Sequence, residues 1–297
     1  MCGIAGYFSF GDRKPKKEQL EDIFKMLETR GTDASGYAFI DDDKLKVTKD
    51  AVKSSELIQR NSWQSLILPK CMILHTRAKT QGTEKNNMNN HPIFTKDGLC
   101  IVHNGMIYND CEIFNKSKRD GEVDSEAILK VLSEKKKDPV KNLFTKIAGS
   151  FAIAIISIKE PNKLTLIKKD NPIELYYDSE ADILYFCSER GMMQKALTIS
   201  KRVKRGFNVG EYNFHYYEMA NNHSLIVDKN GIELYKQYTP MNNFDFYPIY
   251  DYRDDCSRDE DIIECPYCLS STPFKFGKLT NHCDSCGNEI KSEDLLI

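Results

Sequence analysis

The sequence predicts a domain of interleaved α and β elements followed by a short cysteine-rich module. Three observations carry that expectation. Apolar runs of strand length recur along the chain, apolar residues between them fall at helical spacing, and two C-x-x-C pairs lie close together near the end. The chain has 297 residues, enough for one large domain with an appendage.

Taken in order, residues 4–8, 37–40, 71–74, 99–102 and 151–158 are short and apolar enough to be buried strands. Leu20, Ile23, Phe24 and Leu27 fall at i, i+3, i+4 and i+7, as do Val140, Leu143, Phe144 and Ile147, and each set makes one apolar helix face. A third helix starts near Asp124 and turns Ile128, Leu129 and Leu132 inward, and a fourth is expected over residues 188–197. Residues 206–238 read as several short strands, with turns at Asn221-Asn222 and Lys229-Asn230-Gly231. Residues 239–262 are aromatic and acidic. Seven acids against two arginines in 251–264 describe a solvated linker between a domain over 2–238 and a module over 263–297.

Composition excludes several classes of function. Lys+Arg number 42 and Asp+Glu 44, a net charge of −2, which does not suit a chain that works mainly by neutralising nucleic-acid phosphates. Hydrophobic residues make up 40% and charged residues 29%, as in globular rather than disordered chains. No apolar run approaches the roughly 20 residues of a membrane span. Residues 1–10 lack the basic and apolar segments of a secretion signal. Reduced thiols and a cytoplasmic setting follow as the expectation for the ten cysteines.

Cys265-Pro-Tyr-Cys268 and Cys283-Asp-Ser-Cys286-Gly form two knuckles that can place four thiolates at the corners of a tetrahedron. That is the closed geometry of structural Zn²⁺. The module resembles a zinc ribbon, with Phe274 and Phe276 on the intervening hairpin and Gly287 turning backbone N–H groups toward the sulfurs. Two disulfides are the competing arrangement. Residues 265–297 carry three lysines (Lys275, Lys278, Lys291) against four acids (Asp284, Glu289, Glu293, Asp294), so the module has no phosphate-binding footprint. A structural or protein-docking role fits it better.

Cys2 follows the first Met, and removal of Met1 would expose it as a terminal residue carrying both a nucleophile and a base. A free α-amino group titrates at about 7.7–8.0, suited to taking the thiol proton. Further segments follow in order over most of the first 190 residues. They are Met1-Cys2-Gly3-Ile4-Ala5-Gly6, Arg30-Gly31-Thr32-Asp33-Ala34-Ser35-Gly36 and His75-Thr76-Arg77-Ala78-Lys79-Thr80. Next come Asn90-His91-Pro92-Ile93, His103-Asn104-Gly105 with Asn109, Asp124-Ser125-Glu126 and Gly149-Ser150-Phe151-Ala152. Lys169-Asp170-Asn171-Pro172 and Phe186-Cys187-Ser188-Glu189 close the series. In this joint order the chain resembles the class II glutamine amidotransferase domain, an N-terminal-nucleophile (Ntn) hydrolase.

The resemblance implies an α+β fold, a four-layer αββα sandwich over residues 2–238. It implies that Cys2 attacks the side-chain amide of L-glutamine to give a thioester and ammonia, with Asn104 and the Gly105 N–H as oxyanion hole. Read locally, Asn104-Gly105 between apolar runs is also a hairpin-turn signal. Arg77, assisted by Thr80, matches the guanidinium that clamps the substrate α-carboxylate. Asp124 matches the carboxylate that binds the α-ammonium, with Gly105 also at the substrate. On local grounds Arg77 reads as a surface arginine at a strand end, and Asp124 as a helix N-cap. Arg30, Asp33 and His91 are expected to support the site without acting on substrate. Thr32, Gln81, Lys169 and Ile173-Glu174-Leu175 depart from the family pattern at positions outside the nucleophile, the oxyanion pair and the clamp.

The expected function is glutamine hydrolysis with ammonia delivered to a separate synthetase, because nothing after residue 240 has the size or motifs of an ammonia-consuming domain. Two other readings compete: hydrolysis of a different amide, and a catalytically weak scaffold that binds partners through the ribbon.

Overall fold

The computed structural model describes residues 1–115, 117–199, 214–241, 261–268, 270–274 and 281–290. Its contacts divide into two units, Met1–Met241 and Asn242–Ile297. In the first unit one sheet holds β1 (Gly3–Ser9), β2 (Ala34–Asp41), β3 (Lys44–Asp50), β4 (Cys71–Arg77), β9 (Glu174–Asp178), β10 (Ile183–Cys187) and β11 (Phe214–Glu218), in the order β11-β9-β10-β1-β4-β2-β3. The other holds β5 (Ile93–Phe94), β6 (Leu99–Ile107), β7 (Gly149–Ser157), β8 (Glu160–Lys169), β12 (His223–Asp228) and β13 (Gly231–Gln237), in the order β13-β12-β8-β7-β6-β5. All paired strands run antiparallel.

The unbroken apolar runs are explained by strands covered on both faces. Successive side chains of a strand point to opposite sides. Along β1, Ile4 and Phe8 enter a core between the sheets, while Ala5 and Tyr7 enter a core against helices. Along β7, Ala152, Ala154 and Ile156 face the first sheet, and Phe151, Ile153 and Ile155 face helices on the far side. The outer layer on the first sheet contains α1 (Lys17–Met26), α7 (Arg190–Ile199) and the short α2 (Ser54–Leu57) and α3 (Asn61–Gln64). Leu20, Ile23 and Phe24 pack there with Trp63, Met193 and Ala196. The layer on the second sheet contains α4 (Asp110–Phe114), α5 (Ser125–Leu132) and α6 (Pro139–Lys146), with Ile128, Leu143 and Phe144 inward. These are the four layers of the αββα sandwich.

The outline differs from the sequence reading in instructive places. Strands β3, β8 and β9 were not marked by apolar runs, because strand alternation there mixes charged and apolar side chains; β10, by contrast, is itself a fully buried apolar run that the outline passed over. The fourth helix begins at Arg190 rather than residue 188, because Ser188 extends the β1–β10 pairing. Its N–H donates to the Ile4 carbonyl at 2.9 Å, and its Oγ accepts from the Ile4 N–H at 2.8 Å. The domain also runs past 238. Tyr238 is stacked on Phe144 at 4.9 Å, and the Met241 N–H donates to the Phe144 carbonyl at 2.7 Å.

In the second unit, β14 (Asp261–Glu264) pairs with β15 (Ser271–Phe274), and β16 (Asn281–His282) pairs with β17 (Glu289–Ile290). Strand β14 starts inside the stretch read as linker; residues 242–260 of that stretch, and Phe276, lie outside the described residues. Among the described cysteines eight are free thiols and Cys111 is disulfide-bonded, a departure from the expectation of reduced thiols throughout. No described helix is long and apolar enough to cross a membrane.

Candidate active site

Strand order brings the singled-out residues to one end of the sandwich. Cys2 precedes β1, Arg77 closes β4, Asn104 and Gly105 lie near the end of β6, and Asp124 precedes α5. β1 pairs directly with β4, with Gly3 opposite Thr76. The two sheets are stitched at this point by His75 Nε2, 3.1 Å from the His103 carbonyl oxygen.

Cys2 is half-buried, with Sγ 3.6 Å from the Ala78 carbonyl. Burial pushes its thiol up; the nearby Arg77 charge lowers it and Asp124 raises it again. Arg30 is buried and its Nε donates to the Cys2 carbonyl at 2.8 Å, while its Nη1 pairs with Glu189. The loop after Arg30 is clasped to the end of β4. Asp33 N–H donates to the Arg77 carbonyl at 3.0 Å, and Asp33 Oδ2 accepts from the Lys79 N–H at 2.7 Å. Gly31 permits that approach, since a Cβ there would lie 2.3 Å from the Arg77 carbonyl carbon. Arg30 and Asp33 thus hold backbone on either side of Cys2.

Arg77 is 3% exposed, so it is not the surface arginine that its strand-end position suggested. Nη1 donates to Asn90 Oδ1 at 2.9 Å, and Nη2 donates to the carbonyls of Gln81 and Gly82, the latter at 2.8 Å. Three of its five N–H groups are thereby used, leaving the guanidinium oriented with donors to spare. Burial lowers its pKa, and the charges of Cys2, Glu84, Asp33 and Asp124 oppose that shift. Thr80 is exposed on the loop whose carbonyls Arg77 gathers.

Asn104-Gly105 is not a hairpin turn. Both residues sit within β6, opposite Ala152 and Phe151 of β7. Asn104 is 2% exposed, and its side-chain Nδ2 has no hydrogen-bond partner. Gly105 has φ +149°, and a Cβ there would lie 2.0 Å from the Ser150 carbonyl oxygen, so only glycine fits. Asp124 is not a side-chain N-cap either: it makes no cap bond to α5. Its Oδ2 accepts from the Ile107 N–H at 2.7 Å, and its Oδ1 lies 3.3 Å from Ser125 Oγ, which ties the helix entrance to the end of β6.

His91 is buried beneath this rim. Its ring stacks on His75 at 4.3 Å, and neither of its nitrogens has a hydrogen-bond partner. Burial drives His91 well below its ordinary range, His75 down to about 3, and His103 downward as well. All three rings are neutral near pH 7 and unsuited to carry charge. Their contribution was not visible as a group, because they come from separate strands and a loop. The Glu189 pairing and Ser188 bonds were also missed, although both residues stand in a segment that the family pattern includes.

In the second unit the Sγ atoms of Cys265, Cys268, Cys283 and Cys286 all lie within 4.8 Å of one another. Cys265–Cys286 and Cys268–Cys283 are 3.9 and 3.6 Å apart. Tetrahedral Zn–S bonds of about 2.3 Å require sulfurs about 3.8 Å apart, so the four thiols fit a metal ion of that kind. The knuckles are built alike, with Cys265 N–H donating to Ser270 O and Cys283 N–H to Asn288 O, each at 2.9 Å. Gly287, at φ +73°, makes the turn in the second.

One end of the sandwich therefore gathers a thiol, a buried unpaired amide donor, a guanidinium and a carboxylate. Such a set can attack an acyl carbon, hold an oxyanion and bind a zwitterion. Residues 75–195 match the family described as "Glutamine amidotransferase domain". The chain is 33% identical over 183 residues to a glutamine–fructose-6-phosphate aminotransferase (isomerizing) of Aquifex aeolicus, a match covering 58% of this chain and 30% of that protein. The protein of the same name from Thermococcus kodakarensis is 32% identical over 187 residues, covering 59% and 30%. The chain thus spans about 30% of the length of these curated relatives. Among solved structures, glutamine phosphoribosylpyrophosphate amidotransferase from B. subtilis superposes with TM-score 0.63 at 19% identity, over 81% of this chain and 50% of that one. This last likeness speaks for the fold.

Proposed function

We propose that the chain carries a class II glutamine amidotransferase domain of the Ntn-hydrolase type, and that it hydrolyses the side-chain amide of glutamine and releases ammonia for an acceptor; the family match over residues 75–195, the 33% identity to an aminotransferase and the fold likeness support this reading. Met1, 77% exposed, is removed to free the Cys2 amine. That amine takes the thiol proton while Sγ bonds to the amide carbon. The resulting oxyanion is held by Asn104 Nδ2 and the Gly105 N–H. The proton then passes to the leaving nitrogen, ammonia departs, and water cleaves the thioester to glutamate. Arg77, with Thr80, takes the α-carboxylate and Asp124 the α-ammonium. Arg30, Asp33 and His91 hold the frame.

The observation that carries this reading is Asn104. An unpaired buried amide donor costs about 1–3 kcal/mol, and a catalytic role is one of the few reasons for which a native chain keeps one. Here it stands beside a glycine that no other residue can replace.

The acceptor reading is a separate ammonia-consuming synthetase. In the second unit we assign the ion to Zn²⁺ in a structural role, because four thiolates leave no open position for chemistry. The test of the glutamine site is an intact mass spectrum before and after exposure to diazo-oxo-norleucine, a glutamine-like electrophile. The expected result is loss of Met1 and one adduct that vanishes in Cys2→Ala. A retained Met1, or an adduct that survives Cys2→Ala, overturns the terminal-thiol mechanism. Robust amide transfer by the isolated chain overturns the separate synthetase.

A further inference from the structure

Behind the rim, Asp124 is the end of a buried hydrogen-bonded row. His103 Nδ1 lies 2.8 Å from Ser125 Oγ, and Ser125 Oγ lies 3.3 Å from Asp124 Oδ1. The other Asp124 oxygen is fixed by the Ile107 N–H at 2.7 Å. His103 and Ser125 are each 2% exposed, so water does not compete for these bonds. His103 is also the residue immediately before Asn104, and its carbonyl is held by His75 Nε2 at 3.1 Å.

A proton count orders the row. A carboxylate can only accept, so the Ser125–Asp124 contact is a hydrogen bond only when the single hydroxyl proton points to Asp124. His103 Nδ1 must then donate to Ser125 Oγ, and its Nε2 keeps a lone pair. Nε2 makes no hydrogen bond that would fix the proton there. The reverse placement puts the proton on Nε2, near the Ser150 carbonyl, and turns the Ser125 hydroxyl into the ring. Asp124 would then lose one of its two side-chain bonds.

We propose that Ser125 and His103 are positioning residues for the substrate ammonium: the His103 ring orders the Ser125 hydroxyl, which with the Ile107 N–H holds the Asp124 carboxylate in its binding rotamer. Because His103 also carries the backbone into Asn104, one residue links the ammonium site to the oxyanion donor. The inference rests on the reading of Asp124 given above.

The test compares kcat/KM for glutamine with that for glutaramate, which keeps the amide and carboxylate but lacks the α-ammonium. In Ser125→Ala the glutamine-to-glutaramate ratio should fall about tenfold, the loss of one hydrogen bond to a charged group. His103→Asn, which keeps a donor near the Nδ1 position, should preserve the ratio better than His103→Gln. An equal loss on both substrates means a merely structural role and overturns the proposal, as does an unchanged ratio. Nitrogen NMR of the imidazoles in the unaltered chain supplies a readout that survives any misfolded variant. A proton on His103 Nδ1 supports the row, and one on Nε2 overturns it. A wild-type chain with no preference for glutamine removes the reading beneath, a failure seen before any variant is made.

Discussion

Removing the Asn104 amide separates folding from catalysis, and the two effects should differ sharply in size. Asn104 is buried with an unpaired Nδ2, so Asn104→Ala deletes a group whose burial costs about 1–3 kcal/mol. Against that relief stand the cavity and lost contacts of a few side-chain atoms, an opposing cost of about 1–2 kcal/mol. The backbone pairing of position 104 with Ala152 in β7 does not depend on the side chain. The net change in stability should therefore stay within about 1 kcal/mol, or about 2–4 °C in Tm for a domain of this size. Glutamine hydrolysis should fall about 10²–10³-fold, the usual cost of one oxyanion donor. The loss should appear in kcat more than in KM, because the bond matures only as charge develops on oxygen. Glutamate release measured over a substrate series, with a thermal melt on the same preparation, decides the matter. A rate loss under tenfold refutes the oxyanion assignment. A melt lowered by more than about 10 °C makes Asn104 a structural residue instead.

The buried histidines predict acid sensitivity, and the sign follows from linkage. His75 is held down to about 3, and His91 and His103 also lie below their ordinary range, whereas an unfolded chain protonates them near 6.5. The unfolded state therefore binds more protons below that pH, and stability is lost as pH falls. Between pH 7.5 and 5.5 His75 by itself should cost about 1 kcal/mol, and His91 and His103 add to the loss in the same direction, read as a drop in urea midpoint. An unchanged midpoint contradicts the buried neutral cluster. In the second unit, elemental analysis should find one zinc per chain, and either a strong chelator or Cys283→Ser should abolish its binding. Retention of stoichiometric zinc in Cys283→Ser would show that the four-cysteine set is not the ligand sphere.

Most of the strands and helices facing the cores were legible because burial on both faces leaves a continuous apolar run, as in β1 and β7. Strands β3, β8 and β9 were not, because their exposed positions break the run with lysines and acids while their inward positions alone stay apolar. At the site, Cys2, Arg77, Asn104, Gly105 and Asp124 were singled out by resemblance to an ordered family pattern, since read one at a time none of them points to a site. Their local readings failed where a local rule was applied alone. Asn104-Gly105 carries a turn signature yet lies in a strand, because pairing with β7 overrides dipeptide preference. Asp124 sits at a helix start yet does not cap it, because the Ile107 N–H and Ser125 Oγ take its oxygens.

The sequence by itself determined the chemical types: a thiol beside the terminus, an amide-glycine pair, one guanidinium, one carboxylate and four clustered thiols that could hold a metal ion. The four thiols follow from cysteine spacing and the rest from the order of family-like motifs, and neither needs a fold to be read. Only the tertiary structure decided which groups meet and which are buried together. Arg30 reaches the Cys2 carbonyl across 28 positions and Glu189 across 159, and His75, His91 and His103 converge from separate segments. Distance along the chain carries no information about such contacts. They are set by strand order and by the desolvation of groups between two sheets, where a missing partner or a misplaced proton costs far more than it does in water.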